Sequence, residues 1–238
     1  MKLAALIALL CSAAFAQTDD LTKLQAQVDR DKKTLQDWPA LSRYADDNAR
    51  LTTPATVVFM GDSITDAWIK RSPKFFVDNP GYIDRGISGQ TTPQMLIRFR
   101  PDVIARKPKV VVILAGTNDI AGNTGPMTLE MIEDNLSSMA ELAKANGIKI
   151  VMSSVMPVCD YIRPQTERRP PAKIIALNEW IKDYCAKNGL VYLDYYSAML
   201  DDQKMFQKEI TYDGLHPNEA GYAIMEPLAV KAIAAALR

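Results

Sequence analysis

Ser63 stands where a short apolar run, Val57-Val58-Phe59-Met60, breaks at Gly61-Asp62-Ser63 and gives way to Ile64, Ala67 and Trp68 at helical spacing. A hydroxyl at such a junction lies at the carboxyl end of a buried strand. Its own backbone N–H is among the first of a helix and has no intrahelical acceptor. Both features suit a nucleophile whose amide helps to hold a developing oxyanion. The chain has one histidine, His216, so any imidazole chemistry must run through it. Pro217 keeps His216 out of helical conformation and suits the first helical position, which sets the ring at a helix entrance. Asp213, three residues earlier across a glycine-containing turn, can accept from one ring nitrogen while the other faces a serine. Together these residue types would perform nucleophilic acyl transfer. Taken singly, each also fits a plainer role: a serine N-cap, or a lone structural histidine.

The elements that must position these residues follow from periodicity. Strands are expected over residues 57–60, 81–87, 110–115, 148–155 and 190–193, the third (VVVILA) being the longest unbroken apolar run among them. Between them, helices are expected near 92–100, 128–146 and 172–187, with a last one over 217–237. Repeated strand–helix units imply an α/β fold with a parallel sheet covered by helices on both faces. In such a sheet ligands bind beyond the carboxyl ends of the strands. Four stations lie there: Gly61-Asp62-Ser63, Ser88-Gly89, Gly116-Thr117-Asn118-Asp119, and the Asp213–Pro217 turn. Alone, the third is also a common turn composition.

At 238 residues, with 28 Lys+Arg against 28 Asp+Glu, the chain suits one sizeable domain with an appendage and no basic nucleic-acid surface. Residues 1–16 carry one lysine, a short apolar run and Ala14-Phe15-Ala16. This predicts a signal peptide cut after Ala16, hence a secreted or periplasmic protein without stable membrane insertion. The segment 17–55 is expected as a helical extension with an apolar stripe of Leu21, Leu24, Val28 and Leu35. Of the three cysteines, Cys11 falls in the leader, and Cys159 and Cys185 could pair after export. One histidine and so few cysteines leave no zinc set of that kind, and no motif calls for a metal or other cofactor.

GDSI at 61–64, Gly89, GTND at 116–119 and DGLH at 213–216 occur in the order of the SGNH (GDSL-type) hydrolases, which the chain resembles from about Thr56 to its end. The resemblance implies a three-layer α/β/α sandwich on a flavodoxin-like five-stranded parallel sheet, with the esterase domain at 56–238. It also implies a metal-free serine esterase or acylhydrolase. Ser63, His216 and Asp213 would be catalytic. The oxyanion donors would be the N–H groups of Ser63 and Gly89 and the Asn118 amide, with Asp62 orienting the serine loop. The second block departs from many relatives by having Asp84 before Arg85-Gly86. The expected substrate is a small-molecule or carbohydrate ester, an O-acetyl sugar or a lysophospholipid-type molecule. An acyltransferase using the same acyl-enzyme and a non-catalytic binding protein are the alternatives, and the oligomeric state is open. The Arg- and Pro-rich loop 159–171 follows the fourth strand and is expected to border the site; its composition fits a plain solvated loop better than a substrate contact, in which Arg163, Arg168 and Arg169 would face a polar or anionic substrate.

Overall fold

The computed structural model describes residues 20–32 and 35–238, so the expected leader lies outside the described residues. The chain divides into two compact units, Met1–Ser42 and Arg43–Arg238. In the first, residues 20–32 and 35–36 are helical. Beyond them the Asp37 carboxylate accepts from the backbone of Leu41 and Ser42. The second unit takes in residues 43–55 of the segment expected as an extension.

Five strands form the second unit's sheet: β1 (Val57–Gly61), β2 (Tyr82–Gly86), β3 (Val110–Leu114), β4 (Lys149–Ser153) and β5 (Val191–Leu193). All pairings are parallel, in the order β2-β1-β3-β4-β5. The central strands are buried on both faces, which is why they read as continuous apolar runs. Their side chains alternate between two cores. Val58, Met60, Val111, Ile113, Ile150 and Met152 join helices Thr92–Asp102, Leu129–Ala145 and Pro171–Asn188 in one cluster. Val57, Phe59, Val110, Val112, Leu114 and Val151 join helices Ser63–Arg71, Pro73–Asp78 and Glu219–Ala236 in the other. The result is the expected α/β/α sandwich. On the second face Phe59 meets Trp68, Phe75 and Phe76 edge-on, with centroids 5.4–5.8 Å apart.

The boundaries fall within one or two residues of expectation, and two of the differences have a clear local cause. β4 ends at Ser153 because the backbone of Val155 is taken by a side chain: its N–H donates to Asn178 Oδ1 (2.7 Å) and its carbonyl accepts from Asn178 Nδ2 (2.9 Å). The last helix begins at Glu219, not at Pro217. Asn218 caps it, accepting from the N–H groups of Ala220 and Gly221, while Pro217 pairs with Thr211 in an isolated antiparallel bridge. Cys159 and Cys185 are buried, free and in different clusters, so the pairing left open by sequence does not form.

Strand order reverses between β1 and β3: the chain leaves β1 for β2 on one side and returns to β3 on the other. That switch point opens a crevice at the carboxyl ends of these strands, where Gly61-Asp62-Ser63 and Gly116-Thr117-Asn118 follow directly.

Candidate active site

β1 ends at Gly61, and helix Ser63–Arg71 starts two residues later. A Cβ on Gly61 would meet Thr65 Oγ1 at 2.0 Å and the Leu114 carbonyl at 3.0 Å, so only glycine lets strand, helix and β3 close up here. Asp62 is the N-cap. Its Oδ1 accepts from the Ile64 N–H at 3.0 Å, and Oδ2 is buried without a hydrogen-bond partner. Burial, reinforced by nearby Asp119, pushes its carboxyl up to about 7. With both oxygens directed inward, Asp62 shapes the turn that presents Ser63.

The turn from Thr211 to Pro217 brings the histidine to the serine. Ser63 Oγ lies 2.9 Å from His216 Nε2, and His216 Nδ1 lies 2.8 Å from Asp213 Oδ2. The other carboxylate oxygen of Asp213 accepts from the N–H groups of Leu215 (3.0 Å) and His216 (2.8 Å). Burial pushes the Asp213 carboxyl up, but the amide and ring of His216 outweigh it and hold the group below its usual range. An ionised Asp213 can only accept, so it selects the tautomer with the proton on Nδ1 and leaves Nε2 free to receive one. Gly214, at φ +88°, packs so closely that a Cβ would meet the Cys159 carbonyl at 2.3 Å. Tyr212 stacks on the His216 ring (5.5 Å, 11°), with the Arg71 guanidinium over its ring at 4.9 Å.

Gly89 also has positive φ, +81°, and a Cβ there would meet only the Asn123 amide, at 4.0 Å. Glycine is required by the backbone conformation rather than by crowding from the protein. Asn118 sits in the short helix Thr117–Ile120. Its Nδ2 donates to the Gln90 carbonyl (3.0 Å) and its Oδ1 accepts from Arg169 Nη2 (3.3 Å), which fixes the amide with its nitrogen toward the Gly89 loop. Arg98, fully buried in helix Thr92–Asp102, ties the scaffold together. It donates to the carbonyls of Gly61 (3.0 Å) and Arg85 (2.8 Å) and to Asp102 (3.1 Å), and it also bonds the Gln90 side chain.

Ser63, Gly89, Asn118 and His216 line one cleft of about 420 Å³, together with Ala67, Ser88, Asn123, Arg168, Arg169, Tyr212 and Leu215. Asp213 and Asp62 are not in the lining: Asp213 meets the cleft through His216, and Asp62 caps the helix that begins at Ser63. Of the three loop arginines, Arg168 and Arg169 line this cleft and Arg163 does not. Arg98 and Asn123 had no sequence signal: each reads as an ordinary residue of its helix or turn.

A profile of the GDSL-like lipase/acylhydrolase family matches residues 59–224, more than half of the chain and every site residue described above. The solved structure of a GDSL-like lipase from Bacteroides thetaiotaomicron resembles the chain with a TM-score of 0.79 at 45% identity, over 84% of this chain and 99% of that one. Esterase TesA of Pseudomonas aeruginosa is 32% identical over 118 residues, 44% of this chain and 57% of TesA. An acetylxylan esterase of Geobacillus stearothermophilus is 23% identical over 199 residues, 71% of this chain and 89% of the esterase. The chain spans less than two thirds of the length of two of the curated relatives it matches.

Proposed function

The chain belongs to the GDSL-like lipase/acylhydrolase family, and from that premise we propose that it is an exported serine esterase cleaving small acyl esters through Ser63, His216 and Asp213. The observation that carries the proposal is the continuous relay from Ser63 Oγ through His216 to Asp213, with contacts of 2.9 and 2.8 Å, opening on a cleft. In the first half-reaction Ser63 Oγ bonds to the ester carbonyl carbon while Nε2 of His216 takes its proton. The alcohol then leaves with that proton. Water attacks the acyl-enzyme in the second half, again losing a proton to His216, and the acid departs as Ser63 regains its hydroxyl. The tetrahedral oxyanion of each half would accept from the N–H groups of Ser63 and Gly89 and from the Asn118 amide. A single donor of this kind contributes about 3 kcal/mol. Export rests on the leader-like residues 1–16.

A short acyl group fits a cleft in which, among the described residues, Ala67 and Leu215 are the only aliphatic lining. The acetylxylan esterase among the relatives supports an O-acetyl carbohydrate over a lysophospholipid. The test is hydrolysis of p-nitrophenyl acetate, butyrate and octanoate, with EDTA present, by the wild type and by Ser63→Ala. Turnover that declines with chain length and vanishes in the variant is expected. Activity that survives Ser63→Ala would remove the serine mechanism.

A further inference from the structure

Among the described residues, the cleft beside Ser63 is lined by two guanidinium groups and no carboxylate. Arg169 is 5% exposed, yet its hydrogen bonds go to neutral acceptors: Thr117 Oγ1 (3.2 Å), Gln165 Oε1 (3.1 Å) and Asn118 Oδ1 (3.3 Å). Arg168 is exposed and donates through Nη2 to the Ala121 carbonyl (3.3 Å) and Asn123 Oδ1 (3.1 Å). Among the described residues neither has a carboxylate within ion-pair distance. Asp62 and Asp213 act on Arg169 only through the longer-range field, and each is already committed, Asp62 to Ile64 and Asp213 to His216. A guanidinium carries five N–H groups. Three are engaged on Arg169 and two on Arg168, which leaves donors on both.

Buried charges in proteins are ordinarily paired, because desolvation without a counter-ion is costly. A buried cation held in place by neutral groups, next to a second cation and facing a substrate cleft, has its counter-charge still to come. We propose that the esters cleaved here carry an anionic group, a carboxylate, sulfate or phosphate, that seats against Arg168 and Arg169. A short-chain O-acylated acidic sugar is the substrate class that fits. The proposal rests on the serine-esterase function assigned to the same cleft. Guanidinium forks match such oxyanions in bidentate geometry, and the sparse aliphatic lining leaves little room for a long acyl tail.

The test compares phenyl acetate with its anionic counterpart 3-acetoxybenzoate, and p-nitrophenyl butyrate with p-nitrophenyl hydrogen succinate. The first pair places the charge on the alcohol, the second on the acyl group. In one pair the wild type is expected to favour the anion by roughly tenfold or more in kcat/KM, the scale of one charge-assisted hydrogen bond. Arg168→Ala and Arg169→Gln, each checked for folding by Tm, are expected to lower that preference about tenfold, chiefly through KM, and Arg168→Lys to restore part of it. Equal losses on charged and neutral esters, or no preference in the wild type, would overturn the proposal. Ser63→Ala separates the two conclusions. Turnover surviving it removes the esterase assignment, whereas Ser63-dependent turnover without charge preference removes only the anion site. Calorimetry on Ser63→Ala, with the charged and neutral esters of the pair in which the wild type prefers the anion, reads the site without turnover. Binding of the anion at least tenfold tighter than of its neutral counterpart, and lost on adding Arg168→Ala, is expected; equal affinity for the two would overturn it.

Discussion

Asn118 shows how one residue carries both chemistry and structure. Its side-chain nitrogen holds the Gln90 carbonyl and its oxygen takes a bond from Arg169, so a single buried amide links the end of β3, the Gly89 loop and the arginine loop. Replacing it with alanine removes a proposed oxyanion donor and leaves a buried carbonyl and a buried guanidinium each short of a partner. Asn118→Ala is therefore expected to lower kcat by about a hundredfold to a thousandfold. It is also expected to lower stability by about 1–3 kcal/mol. Steady-state kinetics well below Tm, alongside urea denaturation, separates the two effects, and an unchanged kcat would remove Asn118 from the chemistry. The residue types of this site were legible in sequence because few residues do acyl transfer and the only histidine limits the choice. Arg169's grip on Asn118 was not legible, since it joins loops 51 residues apart.

At the scale of elements, helix Thr92–Asp102 contributes nothing to the reacting atoms and yet sets where they stand. Arg98 reaches from it to the Gly61 carbonyl that ends β1, to the Arg85 carbonyl in β2 and to Gln90, with Asp102 as its buried counter-charge one turn on. Arg98→Leu would leave buried Asp102 without its counter-charge, with the Asn48 amide as a remaining donor, and free the Gly61 carbonyl near the serine. Breaking a buried pair in this way costs about 3–5 kcal/mol, so the expected result is a large drop in the urea midpoint. A loss under 1 kcal/mol would show that the clamp is not structural. Sequence periodicity marked this helix, but a 3.6-residue pattern treats an arginine as solvent-facing. The reverse held for the last helix. Pro217 read as its first residue, and the Asn218 cap together with the bridge to Thr211 moved the start to Glu219.

For the whole molecule, several carboxyls are buried without full hydrogen bonding. Burial pushes Asp62 and Asp84 up to about 7 from an ordinary 3.8, and Asp119 moves in the same direction for the same reason. A carboxyl whose folded pKa lies above its unfolded value keeps its proton longer in the folded chain. Stability therefore falls as pH rises through the interval between the two, here from about 4 to about 7. Each group contributes at most about 1.4 kcal/mol per pH unit in that window. Groups held low, such as Asp213, act below it. Tm is expected to decline from pH 5 to pH 7, and less steeply in Asp84→Asn, which keeps shape without charge and does not line the Ser63 cleft. Identical slopes in variant and wild type would rule out Asp84 as a source.

The sequence by itself determined the alternation of strand and helix, the buried parallel sheet and the four stations at its carboxyl ends. Those properties follow from local pattern: apolar runs, helical spacing, and glycine or proline at the breaks. Only the tertiary structure decided that residues 153 positions apart meet at 2.9 Å, that Arg168 and Arg169 enter the cleft while Arg163 stays out, and that Cys159 and Cys185 remain apart. Such outcomes depend on which loops the strand order β2-β1-β3-β4-β5 brings to one edge. Strand order is a property of long-range pairing that no local window of the chain contains.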